Sequence, residues 1–227
     1  MLLISGTEAW HIEHSGGIIG LLELSSVKNY KKSPLLDTRK REIETELIRR
    51  YSELSRQEFV SHPVLSAYKD YYKRFRKTYH VQLQVESITQ KGKKLPTVSP
   101  LVDSNFMAEV ETFVLTAGHD VEKLCGKIVI DVSREGDSII QMNGTQKDIP
   151  SGDMVMKDEE GISCSIIYGQ DNRSIIRPET AHVLYVAYAP SGVSGESVET
   201  QLQKIVENVR LFSPEAKIEQ KRILIAE

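Results

Sequence analysis

The chain has 227 residues, of which 40% are hydrophobic and 27% are charged, and its formal net charge is −3. This composition is ordinary for a globular protein, and the length suffices for one large domain or two small ones. No stretch approaches the roughly 18 to 20 apolar residues that span a bilayer. The N-terminus is acidic where a signal peptide would be basic, and two cysteines are too few for a disulfide framework. We therefore expect a cytoplasmic protein that does not contact membranes.

Charge is distributed unevenly along the chain. Residues 28–80 contain 14 Lys and Arg against 7 Asp and Glu, a balance of +7. Residues 81–227 contain 15 against 22, a balance of −7. A basic segment joined to an acidic remainder is typical of a protein that meets a polyanion, although solvated helices also show it.

Two amphipathic helices are predicted in the first part of the chain. The first begins at Thr38 behind Asp37 as its cap and runs for about five turns. The second follows Pro63 and has an aromatic side and a basic flank. The aromatic side comprises Tyr68, Tyr71, Tyr72, Phe75 and Tyr79, and the basic flank Lys69, Lys73, Arg74, Arg76 and Lys77. Two interpretations stay open: the aromatic side packs on the core and the lysines are solvated, or the flank follows a phosphate backbone while a tyrosine stacks on a base.

The segment that follows the basic helix is predicted to be a short strand, because "VQLQVESI" alternates apolar and polar residues. A lysine-rich loop with Lys91, Lys93 and Lys94 comes next. Ser99 and Pro100 are typical of an N-cap and a first helical position. The helix they begin is expected to reach about Thr116 and to stop at Gly118. His119 and Asp120 would then lie just past a helix C-terminus.

Beyond Gly126 the hydrophobic period changes to two, and turn motifs separate short runs. The runs are "KIVIDV", "SIIQM", "DMVMKD", "ISCSII" and "VLYVAYA". A further helix is predicted from about Glu196, followed by a C-terminal strand. Closely spaced strands favour antiparallel pairing, so we predict an α+β fold with a mainly antiparallel sheet and a helical N-terminal portion.

Several kinds of site are not supported by the residue spacing. The chain has no phosphate-binding Gly-rich loop with lysine, no dinucleotide fingerprint and no His-Glu-x-x-His helix. His11 and His14 in "WHIEH" could ligate a metal, but the context looks like a strand and only one pair is present, so no metal site is predicted. The serines of "GISCSIIYG" lack the strand–turn–helix context of a hydrolase nucleophile.

The order of several short motifs resembles the B3/B4 domain of the bacterial phenylalanyl-tRNA synthetase beta subunit. The resemblance covers residues 95–210, about half of the chain. The matching residues are Pro100, Val102, Asp103, Asn105, Asp120, Lys123, Leu124, Gly136, Asp137, Gly144, Asp153, Met154 and Val155. It implies a single B3/B4-like unit over 1–227, with an N-terminal portion at 1–95, a core at 96–212 and a C-terminal strand at 213–227.

In that family the domain hydrolyses tyrosine wrongly attached to phenylalanine-specific tRNA. Such editing needs only an amino-acid pocket and polar groups that orient a water, so no cofactor is expected. The resemblance implies tRNA or aminoacyl-tRNA as the partner, with no DNA expected, and ligase activity is not expected because the synthetic module is absent. Two positions depart from the family pattern: Ala117 replaces a histidine and Tyr185 replaces an acidic residue.

The resemblance indicates candidate catalytic and pocket residues, and the charge pattern indicates candidate RNA-binding residues. The candidate catalytic residues are His119, Asp120 and Asn105. The candidate pocket residues are Glu109, Ser165, Tyr168 and Tyr185. The candidate RNA-binding residues are Lys69, Lys73, Arg74, Arg76, Lys77, Lys91, Lys93 and Lys94. From the residues alone, His119 is equally well explained by the helix dipole and Asp120 by capping of the next turn.

Three functions follow from these residues. The leading hypothesis is a protein that binds tRNA or aminoacyl-tRNA and hydrolyses a mischarged ester in trans. The first alternative is a binding module for RNA or a free amino acid, without turnover. The second is a hydrolase of small amino-acid esters or amides, which would be preferred if the basic helix proved buried.

Overall fold

The computed structural model describes residues 2–29 and 32–227, in which a run of five helices separates the first two strands from the others. The helices are α1 (Glu8–Glu13), α2 (Pro34–Tyr51), α3 (Arg56–Val60), α4 (Pro63–Lys73), α5 (His80–Lys91), α6 (Pro100–Thr112) and α7 (Gly195–Arg210). The strands are β1 (Ile4–Gly6), β2 (Ile18–Ser25), β3 (Thr116–Asp120), β4 (Ile128–Val132), β5 (Ser138–Ile140), β6 (Gln146–Asp148), β7 (Met154–Asp158), β8 (Gly161–Ser165), β9 (Gly169–Gln170), β10 (Val183–Ala189) and β11 (Lys217–Ile225).

The described strands form two main sheets and one hairpin. A five-stranded sheet has the order β1-β4-β7-β8-β9, a four-stranded sheet has the order β11-β2-β10-β3, and β5 pairs with β6. β1 and β4 are parallel, and the other strand neighbours are antiparallel. The predicted α+β fold with mainly antiparallel pairing is therefore confirmed.

The two faces of the four-stranded sheet meet different layers. On one face, a Cβ added at Gly20 would lie 2.5 Å from Val198 of α7, and the Tyr185 hydroxyl donates to the Leu101 carbonyl of α6 over 2.8 Å. On the other face, the Tyr188 hydroxyl lies beside Cys164 of β8. All seven residues of β10 are buried, as expected for a continuous apolar run at the centre of a fold.

A buried ion pair joins α2 to the start of α6. Lys40 is 0% exposed, and its Nζ lies 2.6 Å from Oδ2 of Asp103. The same ammonium donates to Oγ1 of Thr97 over 3.0 Å and to the carbonyl of Pro96 over 3.1 Å. Oδ1 of Asp103 accepts the backbone N–H of Val98 over 2.9 Å. The pair therefore anchors the extended segment that leads into α6.

The strand predicted for "VQLQVESI" is wrong, because the segment lies in α5. Val81, Val85 and Ile88 are each 1% exposed or less, and they share one side of a helix at spacings of four and three. Leu83, which alternation would place beside them, is 43% exposed. Gly92 ends the helix with φ at 62°, a left-handed conformation that favours glycine.

The predicted end of the helix that begins at Pro100 is also wrong. Ser99 and Pro100 occupy the predicted N-cap and first helical positions, but the helix ends at Thr112, and Phe113 takes a φ of 63°. Phe113 is 1% exposed and its ring lies 5.6 Å from that of Phe59, so burial offsets the backbone strain. The chain then enters β3, and His119 is a strand residue.

Three further predictions concern element boundaries. The first amphipathic helix begins at Pro34 rather than Thr38, because the Ser33 side chain accepts the N–H of Leu36 and acts as the cap. The helix with the aromatic side ends at Lys73, so Tyr79 belongs to the start of α5. "WHIEH" lies in and just after helix α1 rather than in a strand. The helix from about Glu196 and the C-terminal strand are confirmed as α7 and β11.

Candidate nucleic-acid interface

The aromatic side of α4 belongs to the hydrophobic core. Tyr68, Tyr71 and Tyr72 are each 4% exposed or less. The Tyr68 hydroxyl donates to the Tyr188 carbonyl over 2.6 Å, and the Tyr71 hydroxyl donates to Oδ1 of Asp153 over 2.6 Å. These rings cannot stack on a base, so the core interpretation of the stripe is confirmed.

The basic flank of α4 is exposed to solvent. Lys69 and Lys73 lie in α4, and Arg74, Arg76 and Lys77 follow directly after the end of the helix. The Arg74 guanidinium lies 5.2 Å from the centroid of the Tyr71 ring and donates to the Gly152 carbonyl over 3.1 Å. Nζ of Lys77 lies 4.5 Å from the centroid of the Tyr168 ring. Aromatic packing therefore orients Arg74 and Lys77, while their charges stay at the surface.

An open cavity of about 810 Å³ lies beside this flank. Arg56 of α3 and Lys69, Lys73 and Lys77 of the α4 flank contribute its charge, and the other residues that line it are uncharged. Gln82 in the first turn of α5 forms part of the wall. We call this feature, defined by its four cations, the basic cavity. Four cations with no lining carboxylate produce a positive potential that favours a polyanion.

Arg56 is a cavity residue that the sequence analysis did not identify. It stands in the first turn of α3, where Ser55 and Glu58 form a capping box. Nε of Arg56 lies 3.1 Å from Oε1 of Glu86 on α5, so an ion pair joins α3 to α5 at the side of the cavity. The sequence signal for this helix start is the capping box of Ser55 and Glu58, which predicts that Arg56 lies in the first turn of a helix.

The lysines at the far end of α5 form a separate group. Lys91, Lys93 and Lys94 are exposed, but Nζ of Lys94 lies 3.2 Å from Oε2 of the buried Glu44. Lys91 follows Gln82 by nine positions in the helix, which corresponds to roughly 14 Å along the axis. The eight predicted RNA-binding residues therefore form two groups, and the basic cavity contains three of them.

His119 lies inside the protein rather than at a helix end. It is 0% exposed, and its Nδ1 lies 2.7 Å from Oγ of Ser174, which itself donates to Asp171. Because that hydroxyl is already a donor to Asp171, it accepts from the imidazole, and the proton is assigned to Nδ1. Burial and the nearby Arg173 lower the pKa of His119 to about 3. Ser174 and Asp171 did not appear in the sequence predictions.

Asp120 caps the short helical turn that follows it. Its Oδ1 accepts the N–H of Glu122 over 3.0 Å, and its Oδ2 accepts the Thr180 hydroxyl over 2.6 Å. The capping explanation considered from the residues is therefore confirmed. Asp120 also contributes to the wall of a surface cavity of about 510 Å³.

Asn105 and Glu109 are adjacent on α6, one helical turn apart, and both contact Thr116. Nδ2 of Asn105 donates to the Thr116 carbonyl over 2.8 Å, and Oε1 of Glu109 accepts the Thr116 N–H over 2.7 Å. Burial raises the pKa of Glu109 to about 8, although the hydrogen bonds from Thr116 and Asn105 oppose the shift. The two side chains thus tie α6 to the start of β3.

Ser165 and Tyr168 lie together in the turn after β8. Oγ of Ser165 accepts the Tyr168 N–H over 3.1 Å and donates to the buried Asp153, whose pKa burial raises to about 6. Tyr168 extends from this turn toward Lys77. Tyr185 is 0% exposed and lies elsewhere, against α6.

The structure does not bring the three candidate catalytic residues and the pocket residues to one cavity. Gly118 pairs with Tyr185 on the face of the four-stranded sheet that α6 covers. Side chains alternate along a strand, so His119 points to the opposite face, where it meets Ser174. The sheet therefore separates His119 from Asn105 on α6. Their proposed roles in catalysis stay predictions.

The model of the B3/4 domain family matches residues 67–208, well over half of the 227 residues. The chain belongs to the B3/4 domain family. The resemblance based on short motifs is therefore confirmed at family level. The B3/4 match begins near the start of α4, upstream of residue 95, so Lys69, Lys73 and Lys77 lie inside it and Arg56 lies outside it. No curated protein matches the sequence.

Among solved structures, this B3/4 protein is similar to an N-terminal fragment of the phenylalanyl-tRNA synthetase beta-subunit from Pyrococcus horikoshii. The two chains are 8% identical and superpose with a TM-score of 0.48. The alignment covers 98% of this chain and 54% of the fragment, so the chain spans about half of the length of that structure.

The described residues contain neither a membrane-spanning helix nor a cluster of metal ligands. Within residues 2–29 and 32–227, no helix has the length and apolar character that crossing a membrane requires. Over the same two ranges, no group of three or more His, Cys, Asp or Glu side chains is placed to hold a metal ion. His11 and His14 lie in α1 and at its C-cap.

Proposed function

We propose that this B3/4 protein binds RNA, and specifically tRNA, through the basic cavity. The observation that carries the proposal is the cavity itself, where four cations from α3, from α4 and from the segment after α4 surround an open volume that no carboxylate lines. Membership in the B3/4 family supports tRNA as the class of RNA, because the related domain of phenylalanyl-tRNA synthetase acts on tRNA. The exposed lysines of α4 provide the phosphate contacts that dominate nucleic-acid affinity.

The proposal is tested by measuring tRNA affinity over a range of salt concentrations. We expect the combined change Lys69→Ala, Lys73→Ala and Lys77→Ala to weaken binding and to reduce the slope of log K against log salt by roughly 2 to 3, because each phosphate contact contributes about 0.7 to 0.9. Fluorescence anisotropy with labelled tRNA gives both quantities.

A matched control removes three other exposed lysines, Lys127, Lys147 and Lys217, which carry the same charge elsewhere on the surface. We expect a smaller loss of affinity from this control. Equal losses from the two triple variants would mean that net charge, not the cavity, governs binding, and would refute the proposal. The second lysine group is tested in parallel with Lys91→Ala and Lys93→Ala.

A more specific hypothesis is that the protein, besides binding tRNA, hydrolyses a mischarged aminoacyl ester. What favours binding without turnover is the separation of His119 from Asn105 by the four-stranded sheet. A hydrolase of small amino-acid esters would be the preferred function if the basic flank were buried. The flank is exposed, so it does not support that alternative.

A panel of mischarged tRNAs distinguishes binding from editing. We expect tRNA binding without deacylation above the uncatalysed rate. Deacylation that is lost in His119→Ala, while tRNA affinity is kept, would replace the binding function with the editing one. Because His119 is buried, a circular-dichroism melt of the variant must accompany the assay.

A further inference from the structure

A second cavity, of about 610 Å³, adjoins the basic cavity and differs from it in chemistry. Its apolar surface comes from Tyr51 at the end of α2, Leu54, Phe59 of α3 and Leu83 of α5. We call it the aromatic groove. Arg56 lines both cavities, so the groove and the basic cavity are continuous at that side chain.

Tyr51 and Phe59 of the aromatic groove belong to an aromatic cluster. The Tyr51 and Phe59 rings lie 5.4 Å apart, and both contact the buried ring of Phe113, at 5.7 and 5.6 Å. Phe59 is 5% exposed, whereas Tyr51 is only half-buried. Leu54 and Leu83 are 36% and 43% exposed. Apolar surface of this kind beside a cationic cavity is what a stacked base and its phosphate require.

Charge decides which part of a nucleotide each cavity suits. Glu86 lines the aromatic groove, and its Oε1 accepts from Gln82 over 2.8 Å in addition to contacting Arg56. Arg56 and Lys91 also line the groove, so a phosphate bound there would meet one opposing carboxylate beside two cations, a less favourable balance than in the basic cavity. In the basic cavity the same phosphate meets Lys69, Lys73 and Lys77 without an opposing carboxylate.

We propose that the aromatic groove binds an unpaired nucleobase of the RNA whose adjacent phosphates occupy the basic cavity. This inference rests on the proposed RNA-binding function and adds to it that the bound RNA is single-stranded at this position. Arg56 stands between the two subsites. Its Nε lies 3.1 Å from Oε1 of Glu86, and the guanidinium has further N–H donors of the kind that bind phosphate. A base in a duplex is stacked between its neighbours and cannot enter the groove.

The first test compares RNA ligands of equal charge. The intact protein is titrated with a single-stranded uridine oligonucleotide and with an abasic oligonucleotide of the same length. We expect the oligonucleotide with bases to bind about 5- to 100-fold more tightly, the range for stacking one base on an aromatic side chain. Equal affinities would overturn the proposal, and this comparison does not depend on any variant folding.

The second test changes the groove without changing the basic cavity. Leu83→Glu introduces a carboxylate at an exposed groove position, and Leu35→Glu is the matched control, since Leu35 is a 62% exposed leucine of α2 outside the groove. We expect Leu83→Glu to weaken uridine binding at least fivefold and Leu35→Glu to leave it within twofold. Tyr51→Leu should behave like Leu83→Glu, and Tyr51→Phe, which keeps the ring, should restore binding.

The outcomes separate this inference from the proposed function. If the Lys69, Lys73 and Lys77 triple variant loses affinity while Leu83→Glu and Tyr51→Leu do not, RNA binds through the basic cavity but the groove has another occupant, such as an apolar segment of a protein. If the triple variant also keeps its affinity, the proposed function itself fails. Loss of affinity in both sets supports the two-subsite arrangement.

Discussion

Removing Lys40 tests whether the buried ion pair holds the segment that leads into α6. We choose Lys40→Met, because methionine keeps most of the side-chain volume and removes the charge. The variant leaves Asp103, a residue that is 3% exposed, without the ammonium that lies 2.6 Å away. Thr97 and Pro96 lose the same donor.

The expected cost follows from the burial of both partners. Breaking a buried pair by removing one member typically costs about 3 to 5 kcal/mol, because the remaining charge stays uncompensated. The N–H of Val98 still donates to Asp103, so we expect the lower part of the range, about 3 kcal/mol. Against a total stability of about 5 to 15 kcal/mol, this is a large loss.

Urea unfolding measures the loss, with the fluorescence of Trp10, the single and fully buried tryptophan, as the probe. Lys127→Met is the control, since this exposed lysine should change the free energy of unfolding by about 0.5 kcal/mol or less. The double variant Lys40→Met, Asp103→Leu should recover part of the stability, because no charge is left buried. A loss below 1 kcal/mol in Lys40→Met, or no recovery in the double variant, would refute the reasoning.

Two further predictions concern buried titratable groups. The pKa of Glu109 is raised to about 8 by burial, so the protonated form is favoured in the folded state, and the stability it provides is present below about pH 4.5 and is lost as pH rises toward 8. Glu109→Gln should therefore flatten the dependence of the urea midpoint on pH between 5 and 8, and an unchanged slope would contradict this. The pKa of His119 is lowered to about 3, so its imidazole should stay neutral down to pH 5. Constant ring nitrogen chemical shifts between pH 5 and 8 would agree, whereas a titration near 6.5 would show that the side chain reaches solvent.

Local sequence patterns predicted the start of α6 and several of the strands beyond Gly126. Ser99 and Pro100 mark the start of α6 because capping chemistry depends on neighbours in sequence. The strand predicted at "VQLQVESI" failed for the opposite reason, since a run of eight residues fits both periods until the burial of Val81, Val85 and Ile88 is known. The end of α6 was missed because Phe113 takes a left-handed conformation only where tertiary packing holds its ring.

The candidate catalytic residues show the limit of arguing from order along the chain. His119 and Asn105 are fourteen positions apart and lie on elements that touch, which makes a shared site plausible from sequence. Whether the two side chains face one cavity depends on which face of the sheet each strand residue points to. Because α6 ends at Thr112 and not near Gly118, His119 is a buried strand residue and not a helix-end residue. Alternation then directs it away from α6. The misplaced end of α6 is therefore the reason that the sequence grouped His119 with Asn105.

The basic flank could be predicted because charge and exposure go together on a surface helix, but the cavity it borders could not. Its fourth cation comes from α3, and the adjoining groove comes from the end of α2 and from α5, which was predicted as a strand. Arg56, Tyr51 and Phe59 all lie before residue 67, where the B3/4 match begins. If the groove binds a base, the helices that precede the family match determine which RNA this protein accepts. Variants at Tyr51 and Arg56 should therefore change the preference for single-stranded over duplex RNA, whereas variants at Lys69 and Lys73 should weaken both alike.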